Sequence, residues 1–201
     1  MEKRRKDGKA ETVLVVIGGM VLDIQATSSI PPHLRTICPG QVHYAQGGVA
    51  RNIVECMTNL GAQPFMISAL GFDMPRNLLL EYWKSARLQT EGIRKHQDVE
   101  TPIVCHILDV TREVAVGVAS MEAVEMFLSL EWIQQFKHTI HSAILLMVDA
   151  NLSRPTLEVA CRLAAKSNIL VWFEPVLIAK SKRIAPVVKY CNTPNPYPSL
   201  K

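Results

Sequence analysis

The segment with the clearest chemical potential is Gly47-Gly48-Val49-Ala50-Arg51-Asn52, at the start of a predicted helix. Two successive glycines let a ligand approach the backbone closely, because neither carries a side chain. The free N–H groups and the positive dipole end of a helix start suit a polar or anionic group. Asn52 lies in the first turn, where its amide can donate and accept, which suits neighbouring hydroxyls. A tight turn with a helix cap fits the same residues, so both interpretations stay open.

Three more polar residues follow predicted strands or extended segments. They are Asp23, Asn151 and Glu174. Because ligands of open α/β sheets bind beyond the carboxyl ends of the strands, we expect these residues to converge near the Gly47-Gly48 pair. Asp149 and Glu174 also form a candidate pair for acid–base chemistry, although acids at strand ends more commonly cap the following helix.

Short apolar runs alternate with helical patterns, and this alternation must position those polar residues. Buried strands are predicted at 13–17, 64–70, 143–148 and 169–173, helices at 49–60, 77–86, 129–140, 154–166 and 178–188, and a short strand around Tyr190. Repeated strand–helix alternation is typical of an α/β fold with a parallel sheet. The regions 20–46 and 103–119 interrupt it, because the first is extended and proline-broken and the second has the alternation of a hairpin. They predict a small β insertion at one edge of the sheet.

The composition favours one globular domain. The chain has 201 residues, of which 48% are hydrophobic and 20% charged, enough apolar material for a core. No apolar run approaches the roughly 20 residues of a membrane span, and the start of the chain has no signal-peptide pattern, so we expect a cytoplasmic protein without membrane contact. Most of the net charge of +4 lies in residues 1–9, so we expect a flexible basic tail over 1–11 and no nucleic-acid face.

Cysteine and histidine spacing gives no metal or disulfide signal. The five cysteines are far apart and include no Cys-x-x-Cys, which indicates reduced thiols. His138 and His141 share one helix face, but no third ligand lies near them in sequence, so no metal site is predicted.

The helix-start motif resembles the first signature of the ribokinase-like (PfkB) sugar and nucleoside kinases. Gly-Gly-x-Ala-x-Asn is closed by Leu60-Gly61, as in that family. Further similarities follow in order over about residues 12–195. They are Gly18-Gly19-x-x-x-Asp23, Leu70-Gly71-x-Asp73, Thr101-Pro102 and Thr193-Pro194-Asn195. Two more segments resemble the pseudouridine kinase branch: Asp149-Ala150-Asn151-Leu152, and Phe173-Glu174-Pro175-Val176 with Lys180 after it.

The resemblance implies a three-layer α/β sandwich whose parallel central sheet is covered by a β lid, built from about 20–46 and 103–119. It implies that the substrate, a sugar or nucleoside, lies between lid and sheet. The implied substrate-binding residues are Asp23, Gly47, Gly48, Asn52, Thr101 and Asn151. Glu174 and Asn195 are implied on the cofactor side, with ATP and Mg²⁺ as the family's cofactors. The favoured reaction is phosphorylation of the 5′ hydroxyl of pseudouridine.

The chain also departs from the family pattern. Asn195-Pro196-Tyr197-Pro198 stands where the family has Asn-x-x-Glu, and no glycine follows Gly117. The family's Gly-Ala-Gly-Asp segment, which supplies the anion hole and the catalytic aspartate, is therefore not within these residues. We expect a C-terminally truncated kinase domain over 12–195 with a divergent tail at 196–201, no catalytic base, and impaired phosphoryl transfer.

Two non-enzymatic alternatives stay open. One is a binding remnant that keeps the sugar site or forms a homo-oligomer through the lid, because exposed strand edges invite pairing. The other is an unstable by-product, because a shortened sheet exposes a strand edge and apolar surface.

Overall fold

The computed structural model describes residues 13–33 and 35–191. Two sheets account for the strands. They are β1 Val13–Ile17, β2 Val21–Ser28, β3 Gly40–Gly47, β4 Pro64–Leu70, β5 Ile93–Lys95, β6 Ile103–Leu108, β7 Val114–Ser120, β8 Ala143–Asp149 and β9 Leu170–Glu174. The helices are α1 Val49–Asn59, α2 Met74–Ser85, α3 Leu130–Gln135, α4 Lys137–His141, α5 Arg154–Ala165 and α6 Ile178–Ser181. The predicted tails at 1–11 and 196–201 lie outside the described residues.

The larger sheet has five parallel strands in the order β5-β4-β1-β8-β9. Successive residues of β1 point to opposite faces, so this central strand supplies apolar side chains to both. Val15 and Ile17 pack in the cluster beneath α3, α4 and α5, whereas Val16 packs with Val54 of α1 and Trp83 of α2. Helices therefore cover both faces, and the predicted three-layer α/β architecture with a parallel sheet is confirmed.

The smaller sheet, which we call the lid, has four strands in the order β3-β2-β6-β7. It is built from the two regions in which the sequence predicts a β insertion. β2 pairs antiparallel with β3 and parallel with β6, and β6 pairs antiparallel with β7. The strand β3 leads through Gly48 directly into α1, so the lid is joined to the core at the glycine pair.

Several predicted boundaries differ from the structure for local reasons. Helix α2 begins three residues earlier than predicted, because the Asp73 side chain accepts a hydrogen bond from Arg76 N–H and caps it. The helix predicted over 129–140 is divided at Phe136, whose ring packs against Phe65 and Trp132.

The end of the described chain also differs. The helix predicted over 178–188 is only the single turn of α6 followed by 3₁₀ turns, and the short strand predicted around Tyr190 is wrong. Tyr190 N–H donates to Val187 O in a 3₁₀ turn. The three-residue strand β5 was not predicted, because three residues are too few to show a period.

Candidate functional site

The site begins with the glycine corner, by which we mean Gly47 and Gly48 between β3 and α1. Gly48 has φ 96°, a conformation that side-chain-bearing residues rarely adopt. A methyl group there would also overlap the carbonyl oxygen of Gly19. A methyl group on Gly47 would overlap the carboxylate of Asp23. The corner therefore allows backbone and carboxylate to approach each other more closely than any other residue pair would permit.

Asp23, on β2, lies against this corner with its side chain half-buried. Its register partner on β3 is Ala45, two residues before Gly47. Burial raises the pKa of the Asp23 carboxyl, and the nearness of His106 and Arg51 opposes that rise only in part. No side-chain hydrogen bond engages this carboxylate among the residues that the structure describes. A partly desolvated acceptor without a partner is suited to a ligand's hydroxyl groups.

Asn52 is one turn into α1 and exposed. Its amide oxygen accepts a hydrogen bond from the buried guanidinium of Arg51 at 2.7 Å. The start of α1 has no side-chain cap, so its first N–H groups are open as well. Asp23, Gly47, Gly48 and Asn52 thus lie in one region, the junction of lid and core.

Asp149 was predicted either to cap the following helix or to pair with Glu174 for acid–base chemistry, and the structure shows it in a buried role at the strand ends. It ends β8, is 1% exposed, and accepts hydrogen bonds from Gly19 N–H at 3.1 Å and Asn151 N–H at 2.9 Å. Burial raises the pKa of this carboxyl, although those hydrogen bonds and the charge of Lys180 favour the ionised form. Asp149 therefore ties the ends of β1 and β8 together. This role could have been predicted from two positions in the sequence. The Gly18-Gly19 pair directly follows one buried strand, and Asp149 ends another.

Asn151 and Glu174 lie at the same edge of the sheet, and the hydrogen bonds of their side chains go to partners other than the glycine corner. Asn151 is buried, and its amide oxygen accepts from Lys180 Nζ at 2.6 Å. Glu174 is the register partner of Asp149, and its carboxylate accepts from Val176 N–H at 3.2 Å. No hydrogen bond of the described chain joins either residue to Asp23 or Asn52. Of the three residues predicted to converge near the glycine corner, only Asp23 lies directly against it, and Asn151 is linked to the corner through Asp149 and Gly19.

Thr101 occupies a structural position beside the start of α2. Its side chain is fully buried, its hydroxyl and N–H donate to Asp73, and its oxygen accepts from Gly71 N–H at 3.0 Å. These bonds leave its hydroxyl engaged within the protein. A direct contact between Thr101 and a substrate stays a prediction.

The described residues offer little to hold a nucleotide's metal ion. No three His, Cys, Asp or Glu side chains within 13–33 and 35–191 form a group that could bind one. Asn195, predicted on the cofactor side, lies outside the described residues. Of the two residues predicted on the cofactor side, only Glu174 lies among the described residues. One carboxylate alone does not form a metal–nucleotide site. No described helix is both long and apolar enough to cross a membrane.

Comparison with solved structures identifies the fold. The structure superposes on a carbohydrate kinase from Agrobacterium tumefaciens with a TM-score of 0.77 at 19% identity, covering 90% of this chain and 59% of that one. The fold is therefore the ribokinase-like α/β fold. Residues 11–195 match the family described as pfkB family carbohydrate kinase, and the chain belongs to that family. The resemblance stated from the sequence motifs is confirmed.

Two curated relatives are pseudouridine kinases. The chain is 52% identical over 182 residues to the pseudouridine kinase of Arabidopsis thaliana, covering 90% of this chain and 47% of that protein. It is 25% identical over 183 residues to the pseudouridine kinase of Escherichia coli strain K12, covering 91% of this chain and 58% of that protein. The chain thus spans about half the length of the curated relatives it matches.

The glycine corner gives a direct test of the site's geometry. We expect Gly47→Ala to displace the Asp23 carboxylate, because its methyl group would take that space. The expected result is a lower melting temperature, with a loss of about 1–3 kcal/mol of unfolding free energy, measured by thermal and urea unfolding. Gly117→Ala is the matched control, because Gly117 lies in the same lid with room for a methyl group. Equal stability of the two variants would contradict the close packing of Gly47 on Asp23.

Proposed function

We propose that this chain carries the sugar-binding part of a pseudouridine-type nucleoside kinase. The observation that carries the proposal is the placement of a half-buried Asp23 carboxylate against Gly47, beside the open start of α1. The whole protein's reaction would be transfer of a phosphate from ATP to the 5′ hydroxyl of the nucleoside. In that reaction the described residues bind and orient the sugar.

Donors and acceptors at the corner match a ribose ring. Asp23 would accept hydrogen bonds from ribose hydroxyls, and the exposed amide of Asn52 would bond to the same ring. Gly47 and Gly48 would let the ring approach the backbone, where a larger residue would exclude it. The lid then forms the wall that covers the sugar and excludes water.

Support for pseudouridine as the substrate comes from the relatives. Two proteins named pseudouridine kinase match at least 90% of this chain. Asn151, Glu174 and Lys180, in the segments that resemble this branch, lie at the carboxyl edge of the sheet, and we assign Asn151 to the substrate side of it.

The cofactor side would be formed by Glu174 and Asn195, with ATP and Mg²⁺ as in other members of the family. The described residues do not complete that side, so no step of phosphoryl transfer is assigned to them. No glycine follows Gly117, so a Gly-Ala-Gly-Asp segment is not among these 201 residues. We therefore propose that these residues bind the sugar but transfer phosphate poorly by themselves.

The affinity for pseudouridine tests the sugar site. We expect Asp23→Asn to weaken binding by about 10- to 100-fold, because hydrogen bonds to a charged acceptor contribute about 1.5–3 kcal/mol. Isothermal calorimetry on the 201-residue chain measures this. Glu113→Gln removes the same charge from the exposed hairpin of the lid and should leave the affinity unchanged. Equal affinities of the wild type and Asp23→Asn would contradict the site.

The pH dependence of binding provides the control for the role of the charge. Because burial raises the pKa of Asp23 above its ordinary 3.8, the carboxylate takes up its proton earlier as the pH falls. Affinity should therefore decrease on acidification at a higher pH than an ordinary aspartate would give, and Asp23→Asn should abolish this dependence. Burial disfavours the ionised form, so Asp23→Asn should not lower the melting temperature.

Turnover tests the proposed impairment. A coupled ADP-release assay with pseudouridine, ribose or adenosine should give little or no signal with the 201-residue chain. The physical reason is that binding the sugar supplies none of the charge stabilisation that the transferred phosphate needs. Robust turnover that disappears with Asp23→Ala would contradict this part of the proposal.

A second candidate function, association of two chains through the lid, is favoured by one observation. The lid face opposite Asp23 is apolar, and Tyr44 and Val118 on it are 63% and 70% exposed. These two residues belong to one row across the four strands, with Ile24 and Cys105 between them. Exposed apolar rows of this kind mark interaction surfaces. A second copy would cover the face with the same row.

Sedimentation velocity tests this association. We expect a wild-type dimer and a monomeric Val118→Lys variant, because the ammonium group would lose its hydration in the interface. Val110→Lys is the control, because Val110 is 50% exposed in the hairpin turn beyond the row. A monomeric wild-type chain would contradict the association.

A further inference from the structure

Arg51 is the most deeply buried charged residue at the lid–core junction, with 4% of its surface exposed. A buried guanidinium must be paired, because desolvation makes an unpaired charge costly. Its terminal nitrogens donate to Asn52 Oδ1 at 2.7 Å, Glu55 Oε2 at 2.8 Å and Gln46 Oε1 at 3.3 Å. Arg51 thereby connects strand β3 of the lid with helix α1.

The contact with Arg51 decides which way the Asn52 amide faces. A guanidinium has only donors, so the amide group next to it must present its oxygen. The amide NH₂ of Asn52 then points away from Arg51. Asn52 therefore offers donors to a ligand, whereas a freely rotating amide would offer donor and acceptor alike.

Asp23 supplies the complementary half. Its carboxylate, held at Gly47, only accepts when ionised. A hydroxyl group that donates to Asp23 and accepts from Asn52 satisfies both residues at once. The site is thus matched to a hydroxyl, and the match depends on the orientation that Arg51 imposes on Asn52.

Arg51 is itself held from the side of α2. Glu55 accepts from Arg51 through one oxygen and from the Tyr82 hydroxyl through the other. The hydrogen bond from Tyr82 is the main cause that lowers the pKa of Glu55, so this carboxylate stays ionised and keeps the guanidinium in place.

Building on the proposed sugar site, we infer that Arg51 is a positioning residue that sets the Asn52 amide to donate to a sugar hydroxyl. It does not touch the substrate. Its effect on affinity passes through Asn52. The competing explanation is that the positive charge of Arg51 acts on Asp23, and the two explanations differ in how substitutions combine.

Pseudouridine binding in a double-mutant cycle tests the inference. Calorimetry at neutral pH compares wild type, Asn52→Ala, Arg51→Met and the double variant. We expect Asn52→Ala and Arg51→Met each to weaken binding by about fivefold, the size of one neutral hydrogen bond. The double variant should bind no more weakly than Asn52→Ala. Additive losses, or an Arg51→Met chain with wild-type affinity, would overturn the inference.

The conservative variant separates orientation from charge, and it keeps the inference testable should Arg51→Met fail to fold. Arg51→Lys keeps the charge but not the planar fork. We expect it to bind more weakly than wild type while Asn52 is present, and to match arginine in the Asn52→Ala background. Weakening in both backgrounds, or in neither, would overturn the inference.

One control variant completes the design. Arg94→Met removes an arginine that donates to Phe127 O and Ser129 Oγ, away from the corner, and should lower the melting temperature without changing affinity. A wild-type chain without measurable affinity, or an Asn52→Ala chain with wild-type affinity, would contradict the sugar site itself and the inference with it. Coupling that fails while Asn52→Ala still weakens binding would contradict only the inference.

Discussion

The contact between the glycine corner and Asp23 is the constraint on which the arrangement of this molecule depends. A lid strand ends, the chain turns with a positive φ at Gly48, and a core helix begins within two residues. The space beside that turn is filled by a carboxylate from the neighbouring lid strand and by the carbonyl of Gly19 from the end of β1. Lid, helix and central strand therefore meet at one point, and any side chain there would separate them.

The charged residues around this point differ in burial and in how many hydrogen bonds they make. Asp149 is fully buried, and its carboxylate oxygens accept hydrogen bonds from backbone N–H groups, so it holds strand ends together. Asp23 is only half-buried and keeps its oxygens free among the described residues. Arg51 is buried but paired three times. Desolvation is thus compensated at the carboxylate of Asp149 and at the terminal nitrogens of Arg51, although not at the buried Arg51 Nε, and it is left uncompensated at Asp23.

Much of this was predictable from sequence, and the misses have physical causes. The strands at 13–17 and 64–70 and the helix after Gly48 show clear apolar periods, so the sheet and the family could be predicted. The roles of Asp149 and Arg51 could not, because they depend on partners fixed only by tertiary packing, Gly19 being 130 positions from Asp149. The hydrogen bonds that Thr101 makes with Asp73 and Gly71 could not be predicted either, because no local pattern signals them, and its contact with a substrate stays a prediction.

The mixed pairing inside the lid has a consequence for the order in which the chain assembles. Leu22 pairs with Ile103 in a parallel ladder, although α1, β4, α2 and β5 all lie between them in sequence. Such non-local pairing contributes no stabilising free energy until the segment between the two strands has been ordered. During synthesis, β2 and β3 therefore emerge from the ribosome before β6, the strand that pairs with the other edge of β2. The lid sheet is completed only after half the core has been synthesised, and until then the backbone edge of β2 is open to chaperones and to other nascent chains.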